Sequence, residues 1–162
     1  MRKTIGALVV ASAVAIGTIT QWEGFRSNAY LDIGGIPTIG YGSTEDVEMG
    51  DKIDVEGARS RLIKEVMDRY GQAVKNCVKV PLHQSEYDAF VSLTYNIGPS
   101  AFCSSTLVRK VNKEDYTGAC KEILRWNKVK GKTVQGLVNR RESEYKLCIS
   151  EHDKTSLSGE DK

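Results

Sequence analysis

Histidine is almost missing from this 162-residue chain: only His83 and His152 occur, one at a helix entry and the other in the C-terminal tail. A serine or cysteine nucleophile activated by imidazole therefore has no well-placed base. The four cysteines have no Cys-x-x-Cys spacing, so a zinc site is not expected. Phosphate loops and dinucleotide fingerprints are missing too, since Gly34, Gly35, Gly40 and Gly42 match neither spacing. Nor is there an excess of one charge. Lys+Arg number 23 against 21 Asp+Glu, a net +2, which excludes a polycationic nucleic-acid binder. No internal repeat or low-complexity linker interrupts the chain, and no metal or organic cofactor is implied. What remains for chemistry is carboxylates.

With 40% hydrophobic and 27% charged residues, the chain suits one globular domain with a core of its own. The charge, neutral in sum, is segregated: residues 23–103 carry net −4 and residues 104–148 net +6. A basic C-terminal half suits an anionic polymer, and equally a solvated charged face.

After Met1-Arg2-Lys3, an uncharged run extends from Thr4 to Trp22. As a helix its 19 residues would span about 28 Å, close to one hydrocarbon core. Ten of the 19 are Gly, Ala, Ser or Thr, a composition that can enter a bilayer and also leave it. The basic pair ahead of the run predicts N-terminus inside, C-terminus outside. Three readings are open: a signal peptide cleaved near Ala11-Ser12-Ala13 or Ala13-Val14-Ala15, an uncleaved anchor, and a buried helix of the soluble body. Cysteine use agrees with export. Cys77, Cys103, Cys120 and Cys148 form an even set fitting two disulfides in an oxidising compartment, with four buried thiols as the alternative. Of three possible connectivities the preferred one joins Cys120 to Cys148, both on C-terminal helix patterns, and leaves Cys77 for Cys103.

From Tyr30 to Gly42 two short strand-like pieces meet at Gly34-Gly35, a hairpin. Asp54 caps a long helix whose apolar positions Ala58, Leu62, Ile63, Val66, Met67, Tyr70 and Val74 repeat at three and four. Ser85 with Asp88 reads as a capping box opening a second helix that stops at Gly98-Pro99. Further helices are expected over 105–112, 115–127 and 137–149, started by Ser104 or Ser105 and by Asp115, with a loop over 128–136. The pattern is α+β, mostly helical and two-lobed, with a small hairpin beside a cleft and a hydrophobic helix in front. It divides into an N-terminal segment, 1–22, a catalytic body, 23–150, and a disordered tail, 151–162.

Glu23 and Asp32 stand nine apart, one closing a helical run and the other on the hairpin's first strand, with Thr38 on the returning strand. Glycoside hydrolysis needs one carboxylic acid to protonate the leaving oxygen and one carboxylate across the sugar. An acid set between Trp22 and Phe25 has an apolar setting that favours its protonated form; one on an exposed hairpin stays ionised. A hydroxyl between them orients a water.

These residues carry a resemblance. Trp22-Glu23-Gly24-Phe25-Arg26, then Tyr30-Leu31-Asp32, then Pro37-Thr38-Ile39-Gly40-Tyr41-Gly42, is similar to the active-site signature of phage-type lysozymes. Residues 84–98, Ser105-Thr106-Leu107-Val108-Arg109, Arg125-Trp126 and 136–142 resemble the family's later segments in order, so the likeness covers about residues 20–148. It implies Glu23 as general acid, Asp32 as second carboxylate and Thr38 as the hydroxyl placing the water. The reaction implied is inverting hydrolysis of the β-1,4 bond between N-acetylmuramic acid and N-acetylglucosamine in peptidoglycan. Asn96 faces the sugar chain or simply ends its helix. Trp126 stacks on sugar or sits in the core, Arg140 or Arg141 pairs with Glu23 or Glu142, and Tyr30 and Tyr41 line the cleft or only pack.

The plainest members of that family lack an apolar run before the acid. A charged N-terminus, a Gly/Ala-rich run and a lysozyme body together resemble signal-arrest-release endolysins, which are exported tethered to the host inner membrane, held inactive, and released into the periplasm at lysis. A monomer acting on glycan strands is the expectation, with no nucleic acid partner. The rival readings are a lytic transglycosylase, a non-catalytic wall-binding protein and a holin-like pore former.

Overall fold

A computed structural model describes residues 1–2 and 9–157. The apolar run does not form one helix through its described part. Val9 to Ser12 are non-helical, and helix α1 covers Ala13–Glu23. The start is set by Ser12, whose Oγ accepts from the Val14 N–H at 3.1 Å, while its own N–H and hydroxyl both donate to Asp88. Among the described residues no helix is long and apolar enough to cross a membrane, so a spanning helix over Thr4–Trp22 is not what this structure contains; residues 4–8 of that expectation lie outside the described part. The reason is burial. Val9, Ala11, Ala15, Ile16 and Ile19 all sit in the core, which makes the run's second half a helix of the globular body.

Gly24 ends α1 in the left-handed region (φ 68°), its N–H bonded to the Thr20 carbonyl at 3.2 Å, and turns the chain into strand β1, Arg26–Leu31. Strand β2, Pro37–Gly40, returns antiparallel, with Tyr30 opposite Thr38 and Leu31 opposite Pro37. The chain then comes back along the outer edge of β1, where Ile53 donates to the Ser27 carbonyl and Ala29 to that of Asp51. Asp54 accepts from the Gly57 N–H at 2.7 Å and starts α2, Val55–Glu65. A π-helical turn, Val66–Tyr70, joins it to α3, Gly71–Cys77, so the predicted long helix is real with one widened turn. Ala58, Leu62, Val66 and Val74 are its buried stripe, whereas Ile63 faces solvent.

Helix α4, Gln84–Ile97, is the centre of the molecule: every residue from Ser85 to Tyr95 is buried. Its N-cap is His83, whose N–H donates to Glu86 at 2.8 Å; the Ser85/Asp88 box does not form, because Asp88 receives Ser12 instead. Buried polar groups on such a helix need partners, and all but the Ser85 hydroxyl have them. Glu86 takes Arg2 at 3.0 Å and His152 at 2.6 Å, Ser92 donates to Glu144, and Tyr87 donates to the Gly71 carbonyl.

Short helices follow: α5, Pro99–Cys103, packs on α4, and α6, Thr106–Val111, packs on α7, Tyr116–Glu122, with Ser105 and Asp115 as the N-caps of α6 and α7. The loop expected over 128–136 contains a two-residue ladder, β3 (Lys128–Val129) with β4 (Lys132–Thr133). Helix α8, Gln135–Leu157, packs most extensively against α4. It continues past residue 150, so 151–157 of the expected disordered tail are helical, tied down where His152 meets Glu86; residues 158–162 lie outside the described part. Disulfides join Cys77 to Cys103 and Cys120 to Cys148, the preferred connectivity.

Candidate active site

Glu23 is the last residue of α1, delivered to a point where four parts of the chain meet. Its Oε1 accepts from Arg140 Nη1 of α8 at 2.7 Å. Its Oε2 faces Gly42, the second residue after β2: a Cβ there would lie 3.3 Å from Oε2 and 3.4 Å from the Tyr95 hydroxyl of α4. Tyr95 in turn donates to the Tyr41 carbonyl at 2.6 Å, and burial raises its pKa, keeping it a donor. The Glu23 side chain remains 22% exposed while Arg140 beneath it is 5% exposed. The carboxyl is therefore reachable from solvent and its cation is not. An apolar setting from Trp22 and Phe25 was the expectation for Glu23; the dominant neighbour is a guanidinium instead, because α8 passes directly under the end of α1.

Gly42 has φ +90°, so alanine there meets both a backbone penalty and the Glu23 carboxylate. Gly42→Ala is expected to lose about 1 to 2 kcal/mol of stability and on the order of tenfold in hydrolysis through displacement of Glu23. Denaturant midpoints and hydrolysis rates measured side by side check this. A variant with unchanged activity would mean that Gly42 does not hold Glu23.

Asp32 lies one residue beyond β1, in the hairpin tip rather than on the strand itself, because its side chain and backbone close the turn. Its Oδ1 accepts from the N–H groups of Gly34 (2.8 Å) and Ile36 (2.9 Å), and its own N–H donates to the Ile36 carbonyl. Thr38, buried at 3% exposure, donates from Oγ1 to that same Ile36 carbonyl at 2.9 Å. Asp32 and Thr38 are thus brought together on one hairpin, whose exit at Gly42 lies against Glu23.

Asn96 is exposed at the end of α4, with Oδ1 receiving Arg141 Nη2 at 2.6 Å. That bond commits its carbonyl side and leaves the amide NH2 as the free face. Trp126 is half-buried: it packs against the core and also lines a groove with Ser104, Arg109 and Arg125. Tyr30 lies under the Arg26 guanidinium, and Tyr41 packs on Phe25. The arginine pairing takes a form the sequence reading missed. Arg140 pairs with Glu23, but the other carboxylate is Glu144, not Glu142. Glu144 is fully buried and lies 3.3 Å from Arg140 Nε and 3.2 Å from Arg141 Nη1. Burial pushes its carboxyl up and the Arg141 guanidinium down to about 10. The signal was present in the spacing: Glu144 lies four residues before Cys148 and four after Arg140, on the face α8 turns inward, whereas Glu142 is on the opposite one.

Among the described residues no cluster of three or more His, Cys, Asp or Glu is arranged to hold a metal ion. The groups gathered at this candidate site are carboxyl groups, one hydroxyl, an amide and two arginines.

The phage lysozyme family profile matches residues 20–144, which contain every one of these groups. The chain is 41% identical over 136 residues to an endolysin of Acyrthosiphon pisum secondary endosymbiont phage 1, covering 82% of this chain and 92% of the relative. It is 38% identical to the SAR-endolysin of Pseudomonas phage phiKMV, covering 86% and 88%. Among solved structures, the muramidase domain of SpmX from Asticaccaulis excentricus superposes with a TM-score of 0.81 at 32% identity, covering 87% of this chain and 98% of that one. A helical body with one small hairpin, a glutamate ending the first helix at the hairpin's exit, and these matches place the chain in the phage lysozyme family.

Proposed function

We propose that this protein is an endolysin that hydrolyses the β-1,4 bond between N-acetylmuramic acid and N-acetylglucosamine in peptidoglycan, acting as a monomer. The observation carrying the reading is the position of Glu23: solvent-reachable, fixed from below by Arg140, and set against the hairpin that bears Asp32 and Thr38. Arg140 occupies Oε1, so Oε2 is the oxygen that delivers a proton to the leaving glycosidic oxygen. Water attacks the anomeric carbon from the opposite face and gives its proton to Asp32, whose Oδ1 is held by two backbone N–H groups. Thr38 donates its hydroxyl hydrogen to the Ile36 carbonyl, leaving lone pairs to accept from that water. Asn96 offers N–H donors to acetamido or hydroxyl oxygens of the strand.

Export tethered to the host inner membrane, with release into the periplasm, belongs to the same proposal. Supporting it are the Arg2-Lys3 pair before the apolar run and the relatives named SAR-endolysins. While Thr4 to Trp22 lie in a bilayer, Glu23 is held at the headgroups, away from Arg140. The burial of Val9, Ala11 and Ala15 favours release intact over cleavage near Ala13 or Ala15, which would remove the Ser12 cap and part of the core.

The test is digestion of purified Gram-negative peptidoglycan by the full chain, with analysis of the sugar ends. Reducing N-acetylmuramic ends are expected. Anhydro ends would replace this reading by a lytic transglycosylase, and binding without cleavage by a wall-binding protein.

A further inference from the structure

One buried carboxylate has no part in the reaction as drawn. Glu144 is fully buried on α8, and Ser92 of α4 donates to its Oε1 at 2.7 Å. Each arginine that touches it reaches on to a different site residue: Arg140 to Glu23 at 2.7 Å, and Arg141 to Asn96 at 2.6 Å. Stability does not account for such a cluster, since replacing buried ion networks by apolar side chains is often neutral or stabilising. Position does account for it, because Glu144 is the branch point behind both residues.

We propose that Glu144 is a positioning residue for the reaction: it anchors Arg140 from behind and neutralises one of the two guanidinium charges, so that the Glu23 carboxyl faces one net positive charge rather than two. This rests on Glu23 being the general acid. Among the described residues, the charged and titratable groups around Glu23 are Arg140 with Arg141 and Glu144 behind it on α8, Tyr95 on α4, and Tyr70 on the π-helical turn, with Glu65 of α2 farther off. With Glu23 protonated and Glu144 ionised, Glu23, Arg140, Arg141 and Glu144 sum to one positive charge. Removing the Glu144 charge makes it two, and the proton on Glu23 leaves more readily.

The experiment is the pH profile of peptidoglycan hydrolysis by the full chain and by Glu144→Gln, Glu144→Asp and Glu23→Gln. Glu144→Gln is expected to move the alkaline half-activity point down by about one pH unit; Glu144→Asp is expected to restore it toward wild type. Loss of structure alone lowers activity at every pH and moves no midpoint. A folded Glu144→Gln protein whose alkaline midpoint matches wild type overturns the proposal. Should Glu144→Gln not fold, Arg141→Gln carries the test: loss of a cation must move the midpoint up, and an unchanged or lowered midpoint overturns the proposal. If Glu23→Gln is as active as wild type, the assignment of Glu23 fails instead, whatever the Glu144 variants do.

Discussion

Replacing Glu23 by glutamine is expected to lower peptidoglycan hydrolysis by about a thousandfold or more, the upper part of the range for removing a general acid, while leaving the protein folded and able to bind the polymer. The substitution is isosteric. The glutamine carbonyl still accepts from Arg140 Nη1, and Arg140 keeps a counter-charge in Glu144 at 3.3 Å, so no buried cation is left alone. What disappears is the proton that Oε2 delivers. Hydrolysis measured as reducing ends, alongside thermal unfolding and co-sedimentation with peptidoglycan, separates the two effects. A folded variant keeping a tenth of wild-type activity sinks the assignment. The local geometry makes the loss specific, because no other carboxylic acid among the described residues shares Glu23's place against Gly42 and Arg140.

How much of this was legible in the sequence depended on whether the deciding interaction was local. Asp54, Ser105 and Asp115 cap helices where the sequence placed them, since an N-cap bond closes within three residues. The hairpin at Gly34-Gly35 and the residues at its rim were equally readable. Helix α4 was misread at its start because the choice between Ser85/Asp88 and His83/Glu86 is made far away: Asp88 is claimed by Ser12, 76 residues earlier. The apolar run shows the same limit in a sharper form. Its composition suits both a bilayer and a protein core, and only the burial of Ala15, Ile16 and Ile19 against α4 distinguishes the state described by the structure. Nearness in sequence to the arginines points to Glu142, whereas the partner is Glu144, one helical turn after Arg140 on the buried face.

Full reduction of both disulfides is expected to cost about 7 kcal/mol, half from each bridge. The bridges span 26 and 28 residues, and a loop of that size restricts the unfolded chain by about 3.5 kcal/mol. The two loops, 77–103 and 120–148, neither overlap nor nest, so their effects on the unfolded ensemble add. Set against a typical domain stability of about 5 to 15 kcal/mol, the sum is enough to leave a reduced chain largely unfolded. The order of reduction is also set. Cys77 and Cys103 are half-buried, whereas Cys120 and Cys148 are fully buried between α7 and α8, so reductant reaches the first bridge in the native state and the second only after that region opens. Denaturant unfolding of the Cys77→Ser/Cys103→Ser and Cys120→Ser/Cys148→Ser pairs should each show a loss near half the total. Timed alkylation under mild reductant should label Cys77 and Cys103 first. Equal midpoints with and without reductant would show that the helical packing around α4 suffices alone. The expected result instead ties activity to oxidising conditions: the reduced chain lacks the Cys120–Cys148 cross-link that holds α8, and with it Arg140 and Glu144, in place behind Glu23.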